Sequence, residues 1–146
     1  MYSSEKIIEL KKQAGLFQLE NREILEQYTI EELTAIYNGI GPDRFPEWLR
    51  NTISALHPSL AVAAFIHDVE WHESDKSKDG FNQSNDRFKR NGYRVAKAQF
   101  SWYNPRRYIV MNQARRFGNA CRLFGWSGWV TSCQCEVCKK RKQVNE

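Results

Sequence analysis

Apolar residues recur at intervals of three and four along most of this chain, which is the spacing of one face of an α-helix. The stretch Ile7 to Phe17 fits a first amphipathic helix, capped by Ser3 or Ser4. Residues 29–32, Thr-Ile-Glu-Glu, have the spacing of a capping box, and the helix they begin is expected to end at Gly39. These signals predict that the chain begins with two short helices.

Further helices follow the same pattern. Pro46 suits the first turn of a helix that the His57-Pro58 pair ends, and Ser59 is a candidate cap for Leu60–Trp71. This segment is apolar almost all round in its first half, which predicts a central buried helix. After a polar loop from residue 73 to 80, two more helices are expected, Phe81–Phe100 and Pro105–Gly125, with Gly92 as a candidate interruption of the first.

The small number of turn-forming residues agrees with an all-α fold. It has only four prolines and eight glycines, and no Asn-Gly or Asp-Gly turn separates two β-branched runs. A length of 146 residues fits one domain. We therefore predict a single-domain helical bundle over residues 1–130, with a central antiparallel helix pair, followed by a basic cysteine-containing tail over residues 131–146.

Targeting signals are not evident. The segment Met1–Lys6 lacks the basic-then-apolar layout of a signal peptide, and the longest apolar run, Leu60–Ile66, is too short to span a bilayer. The sequence therefore predicts neither an export signal nor a transmembrane segment. It favours a cytoplasmic or virion-associated protein and leaves the host and the oligomeric state open.

The candidate chemistry lies at the end of the buried apolar run. If two antiparallel helices flank the polar loop, His67 lies ~9 Å and Asp86 ~7.5 Å from the hairpin end, at a rise of ~1.5 Å per residue. Asp86 could then accept a hydrogen bond from one nitrogen of His67 and leave the other free to take a proton from water. Asp68 points about 100° away, where it could bind calcium with loop carbonyls, such as those of Gly39 and Gly41.

Three segments in order carry a resemblance: residues 38–42 (Asn-Gly-Ile-Gly-Pro), 67–71 (His-Asp-Val-Glu-Trp) and 84–88 (Ser-Asn-Asp-Arg-Phe). This order resembles the calcium loop, His-Asp-x-x-Tyr and Ala-Asp-x-x-Phe motifs of compact viral and bacterial phospholipase A2-like domains. The resemblance covers roughly Tyr37 to Phe88. The His-Asp motif departs from the family at Trp71, which stands where the family has tyrosine.

The resemblance implies a calcium-dependent ester hydrolase that acts on phospholipid. In the roles it implies, His67 activates water and Asp68 holds calcium together with carbonyls of Gly39 and Gly41, while Asp86 orients the histidine. A third interpretation makes His57, with the His-Asp pair and a later aspartate, a metal-dependent phosphohydrolase. It is disfavoured because His57 lies on the far side of Pro58.

Charge supports a rival function of a different class. The net charge is +5, which favours an anionic partner, either nucleic acid or an anionic phospholipid surface. Aromatic and cationic residues interleave from Trp102 to Tyr108 and recur at Arg115-Arg116, Trp126 and Trp129. This pattern suits a bilayer interface or single-stranded nucleic acid, unless Tyr108, Phe117 and Trp126 pack inward and the arginines are merely solvated. The rival is a non-catalytic basic binding module, for nucleic acid or a partner protein, of phage or mobile-element origin.

The tail carries a second candidate metal site. Cys133, Cys135 and Cys138, with Cys121 or His72 as a fourth donor, could bind zinc in a tetrahedral site. Their spacing is not the usual paired Cys-x-x-Cys, so the alternative is a set of reduced thiols beside the basic run at residues 139–142.

Overall fold

The described residues form an all-α domain. A computed structural model describes residues 3–37 and 56–130, and within these ranges it contains helices and turns but no β-strand. The predicted helical bundle with a packed central pair is thereby confirmed. Its elements are α1 (Ser4–Leu16), a 3₁₀ segment (Arg22–Gln27), α2 (Ile30–Ile36), a 3₁₀ turn (Pro58–Leu60), α3 (Ala61–His72), α4 (Lys78–Gln99), α5 (Pro105–Phe124) and α6 (Trp126–Val130).

Capping residues set most helix starts as expected. Ser3 caps α1, and both bonds of the predicted capping box between Thr29 and Glu32 are formed. Helix α4 begins before the predicted Phe81, because the hydroxyl of Ser77 accepts a hydrogen bond from a backbone N–H of the first turn. The predicted cap of α3 is wrong. A 3₁₀ turn precedes that helix, and the side chain of His57 caps the turn.

Helices α3, α4 and α5 pack as successive antiparallel neighbours. Contacts between α4 and α5 place Gly92 against Ala114 and the start of α4 against the end of α5. A Cβ atom at Gly92 would lie 2.4 Å from the Cβ of Ala114, so the absent side chain permits this close crossing. The glycine that was a candidate interruption therefore lies in a continuous helix and serves packing instead.

Helix α3 divides two buried clusters. One face packs with α1, α2 and the 3₁₀ segment between them, through residues such as Leu10, Leu33 and Phe65. The opposite face packs with α4 and α5 around Phe88 and Phe117. Because α3 is enclosed by both clusters, polar side chains on it are carried into the interior, as the apolar run predicted.

A polar clamp ties the segment after α1 to α4. The side-chain oxygen of Asn91 accepts a hydrogen bond from the backbone N–H of Glu20 at 2.8 Å, and its amide nitrogen donates to the carbonyl of Glu20 at 3.1 Å. Both backbone polar groups of one residue are thus satisfied by a buried side chain. The clamp fixes how the N-terminal helices lie on the bundle.

Some predicted features lie outside the described ranges. They are the glycine loop with Gly39 and Gly41, the helix expected from Pro46, and the tail with its cysteines at positions 133, 135 and 138. Among residues 3–37 and 56–130, no helix combines the length and hydropathy that crossing a membrane requires.

Candidate functional site

His67 lies in the interior between α3, α4 and α5. Its side chain is buried, and its Nε2 atom lies 2.9 Å from the Oδ1 atom of Asn85. The rings of Trp71, Phe88 and Phe117 surround it, with centroids 5.1, 5.3 and 6.0 Å away. Loss of hydration in this aromatic cage lowers the pKa of His67 below its ordinary value of 6.5, so the ring is neutral at pH 7.

The bond to Asn85 selects one tautomer of the neutral ring. A neutral imidazole has one N–H donor and one lone pair. With the amide oxygen facing the ring, Nε2 carries the proton and donates it to Asn85, which leaves the lone pair on Nδ1. The amide nitrogen of Asn85 is buried and has no hydrogen-bond partner among the described residues. The pair therefore has unused hydrogen-bonding capacity.

The predicted contact between His67 and Asp86 is wrong. Asp86 faces the outside of α4, where its carboxylate pairs with Lys89 at 3.0 Å and approaches Arg122 at 4.0 Å. The two helices are antiparallel and level-matched as expected, but adjacent helical residues point about 100° apart and only one of them can face α3. Phe88, which touches His67, marks the correct register: the acidic position of an Ala-Asp-x-x-Phe motif lies three residues before the phenylalanine, at Asn85.

Asp68 occupies a different environment from its neighbour. Its side chain is partly buried, and loss of hydration raises the pKa of its carboxyl to about 7. Its charge reaches Cys121 on α5, where burial and the nearby carboxylate together raise the pKa of the thiol. Within the described ranges Asp68 has neither a hydrogen bond nor an ion pair, so its negative charge has no compensating group there.

Glu70, one turn after His67, is the centre of a buried polar network that sequence reasoning missed. Its carboxylate accepts hydrogen bonds from Asn21 Nδ2 at 2.7 Å and from Ser84 Oγ at 2.9 Å, and it also pairs with Arg87. The negative charge of Glu70 acts on His67 and opposes the effect of burial on its pKa. The available signal was a glutamate three residues from a histidine within an otherwise apolar helix.

The described residues do not by themselves form a metal site. Residues 3–37 and 56–130 contain no group of three or more His, Cys, Asp or Glu side chains placed to hold a metal ion. Calcium takes six to eight oxygen ligands, many of them backbone carbonyls, and Asp68 offers a hard carboxylate that has no other described partner. Asp68 therefore fits as one calcium ligand.

The other metal hypotheses gain less support. Cys121, a predicted fourth zinc donor, has a buried thiol whose pKa is raised by burial, so zinc binding would have to displace its proton. The ring of His72 packs against Tyr28, with centroids 6.1 Å apart. His57 is used structurally, since its Nδ1 accepts a hydrogen bond from the backbone of Ser59. The phosphohydrolase interpretation is therefore not supported at that residue.

Helix α5 forms the most basic surface of the described structure. It carries five arginines and no acidic residue. A shallow groove of about 370 Å³ beside it is lined by Asp86, Lys89, Arg90, Tyr93, Arg115 and Asn119. Trp102 and Tyr103, just before the helix, are 73% and 72% exposed. Phe117 is buried as the inward-packing alternative required, whereas Tyr108 and Trp126 are exposed.

Comparison with known proteins adds no relative. No protein-family model, no curated protein and no solved structure matches the chain. The resemblance to phospholipase A2-like domains consequently stays a prediction from the motif residues alone.

Proposed function

We propose that this protein is a calcium-dependent, phospholipase A2-like ester hydrolase acting on phospholipid. The observation that carries the proposal is the hydrogen bond from His67 Nε2 to Asn85 Oδ1 inside an aromatic cage. Burial in the cage keeps the ring neutral, and the bond to Asn85 leaves the lone pair on Nδ1, which is the state a general base requires.

His67 has the properties that water activation needs. In the proposed reaction the water and the ester would have to enter the cage; Nδ1 would then take a proton from water as the water oxygen bonds to the ester carbonyl carbon, and the imidazolium would return that proton to the departing alcohol. Forming a cation in an apolar cage is costly. The buried carboxylate of Glu70, which raises the pKa of His67, lowers this cost.

Asp68 is the proposed calcium ligand on the protein side. A partly buried carboxylate with no described partner loses hydration, and no other interaction offsets that loss. A bound divalent cation would offset it. Bound calcium would polarise the ester carbonyl and stabilise the oxyanion that develops on it. The carbonyls of Gly39 and Gly41 remain the proposed additional ligands.

Asn85 is the proposed positioning residue, in place of Asp86. An amide oxygen fixes the tautomer and ring orientation as a carboxylate does, but it carries no charge with which to stabilise the imidazolium. We therefore expect slower turnover than at a site with aspartate in this position. The assignment also removes Asp86 from the catalytic residues.

An anionic phospholipid surface is the proposed substrate phase. Cys121 lies close enough to Asp68 for the aspartate charge to affect the pKa of its thiol. The residues that follow Cys121 include the exposed apolar side chains Leu123, Phe124 and Trp126, with Arg122 beside them. Apolar and indole side chains next to an arginine suit the headgroup region of an anionic bilayer.

The proposal is tested with anionic phospholipid vesicles, with and without calcium. We expect His67→Ala to lower hydrolysis by about 10²–10⁴-fold and to leave calcium binding intact, because the imidazole contacts water and not the ion. Asp68→Asn should lose calcium binding, measured by calorimetry, and hydrolysis with it. Asp86→Asn, one residue from Asn85, is the matched control and should keep both. Wild-type protein that neither cleaves an ester nor binds calcium would rule the proposal out.

A further inference from the structure

We infer that the basic face of α5, together with the Trp102–Tyr103 turn, binds single-stranded nucleic acid. The described charges are segregated along the chain. Residues 78–124 contain eleven Lys or Arg and two Asp or Glu, whereas residues 3–37 contain four and seven. The α4–α5 layer thus carries a net charge of +9 and the N-terminal layer −3, so one side of the molecule attracts a polyanion.

Several cations on α5 are available to phosphates. Arg106, Arg107 and Arg116 make no ion pair within the described ranges, and Arg115 donates only to the side chain of Asn112, at 2.9 Å. A guanidinium has five N–H donors, so Arg115 keeps most of its own. It also lines the shallow groove, which gives a phosphate backbone a concave path along the helix.

Aromatic faces lie at one end of this path. Trp102 and Tyr103 are largely exposed, and their rings form an edge-to-face pair with centroids 5.7 Å apart. The hydroxyl of Tyr108 donates to the carbonyl of Trp102 at 2.6 Å and holds the turn on α5. Exposed aromatic rings beside a basic groove provide the stacking and phosphate contacts that single strands use.

The middle of α5 favours nucleic acid over a bilayer. The exposed apolar residues Ile109 and Leu123 are separated by roughly 21 Å of helix at a rise of ~1.5 Å per residue. The exposed positions between them are Asn112, Arg115, Arg116, Asn119 and Arg122. A helix lying in a bilayer surface needs a continuous apolar stripe. Amide and guanidinium groups instead suit hydrogen bonding to phosphates and bases.

The test is fluorescence anisotropy of the full chain with a labelled single-stranded oligonucleotide over a range of salt concentrations. We expect the slope of log K against log salt to become shallower by about 1.4 in Arg115→Gln/Arg116→Gln, since each lost phosphate contact on a single strand removes about 0.7. Lys6→Gln/Lys12→Gln removes the same charge from α1 and should leave the slope unchanged.

A second variant tests stacking. Trp102→Ala should weaken single-strand binding about tenfold, the loss of about 1.4 kcal/mol that one stacked base provides, without changing the salt slope. Three results would overturn the inference: no salt-sensitive binding by the wild type, an equal loss in the α1 control, or binding to anionic vesicles without binding to the oligonucleotide. None of these results depends on ester hydrolysis.

Discussion

Two buried polar groups on α3, one helical turn apart, have opposite hydrogen-bonding states. The carboxylate of Glu70 is bonded by Asn21, Ser84 and Arg87, so both of its oxygens have hydrogen-bond partners. His67 has one such bond, to Asn85, whose amide nitrogen lacks a partner within the described residues. Complete satisfaction rigidifies a fold, whereas unused capacity leaves a group free for chemistry.

The surroundings explain why the neighbours differ. Glu70 faces the segment after α1 and the start of α4, where chain ends and turns bring polar side chains together. His67 faces the aromatic cluster between α4 and α5, which removes water without offering hydrogen bonds. Helix α3 thus holds a structural charge and a candidate base within the same two turns.

The largest expected effect comes from breaking the satisfied site. Glu70→Ala leaves the guanidinium of Arg87 and two further polar side chains without their acceptor, and should lower the free energy of unfolding by about 3–5 kcal/mol. Urea denaturation measures this loss. The exposed Glu23→Ala is the control and should change stability by less than about 0.5 kcal/mol. A similar small loss for both variants would contradict the structural role of Glu70.

Altering the unsatisfied site should change rate more than stability. If the proposed hydrolysis occurs, Asn85→Ala frees the ring of His67 to reorient and should slow the reaction by about 10–100-fold. Asn85→Asp adds a negative charge that stabilises the imidazolium, and it should raise both the rate and the pKa of His67. Nitrogen chemical shifts of the imidazole give the tautomer and the pKa. An unchanged tautomer and rate in Asn85→Ala would exclude positioning by this residue.

The pH dependence of stability distinguishes His67 from Asp68. Unfolded His67 binds a proton near pH 6.5 and the folded form only at lower pH, so its stabilising contribution is full above pH 6.5 and is lost as the pH falls. Asp68 has the opposite sign: its folded pKa of about 7 exceeds the ordinary 3.8, so stability is lost as the pH rises from 3.8 to 7.

Because the two contributions oppose each other, removing one exposes the other. In chelator-treated protein, the stability of Asp68→Asn relative to wild type should increase as the pH rises from 5 to 7, by up to about 1.4 kcal/mol per pH unit. His67→Gln should show the reverse trend relative to wild type. Urea unfolding at several pH values measures both, and parallel curves for the three proteins would refute the assigned pKa directions.

The smallest expected effect is the loss of one donor to Glu70. Ser84→Ala removes a neutral hydrogen bond and should cost about 1 kcal/mol, because Asn21 and Arg87 still satisfy the carboxylate. Thermal unfolding checks this value. A cost as large as that of Glu70→Ala would mean that the network fails as a unit.

Sequence patterns predicted the elements better than the partners. Caps at Ser3 and Thr29 and the long helix from Pro105 are local signals, and the structure has all three. The antiparallel pairing of α3 and α4 followed from one short loop. These predictions succeeded because each depends on residues close in sequence.

The partner of His67 could not be obtained by matching levels along two helices. The distance from the loop gives the position of Asp86 along the axis of α4 but not the direction in which its side chain points. An error of one residue turns that direction by about 100°. Only a residue whose burial is known, such as Phe88, sets the rotation. The hydrogen bond from Asn21 to Glu70 was still harder to predict from the sequence, because it joins residues 49 positions apart.

The clamp that Asn91 forms on Glu20 has a consequence for how this sequence can vary. Asn91 contacts only the backbone of residue 20, and every amino acid except proline offers the same N–H and carbonyl there. The clamp itself therefore puts no requirement on the side chain at position 20, where the glutamate separately pairs with Arg90 at 2.7 Å, while position 91 requires an amide of one length. Aligned relatives should show an invariant asparagine at 91, whereas the residue at 20 can vary together with its ion-pair partner at position 90.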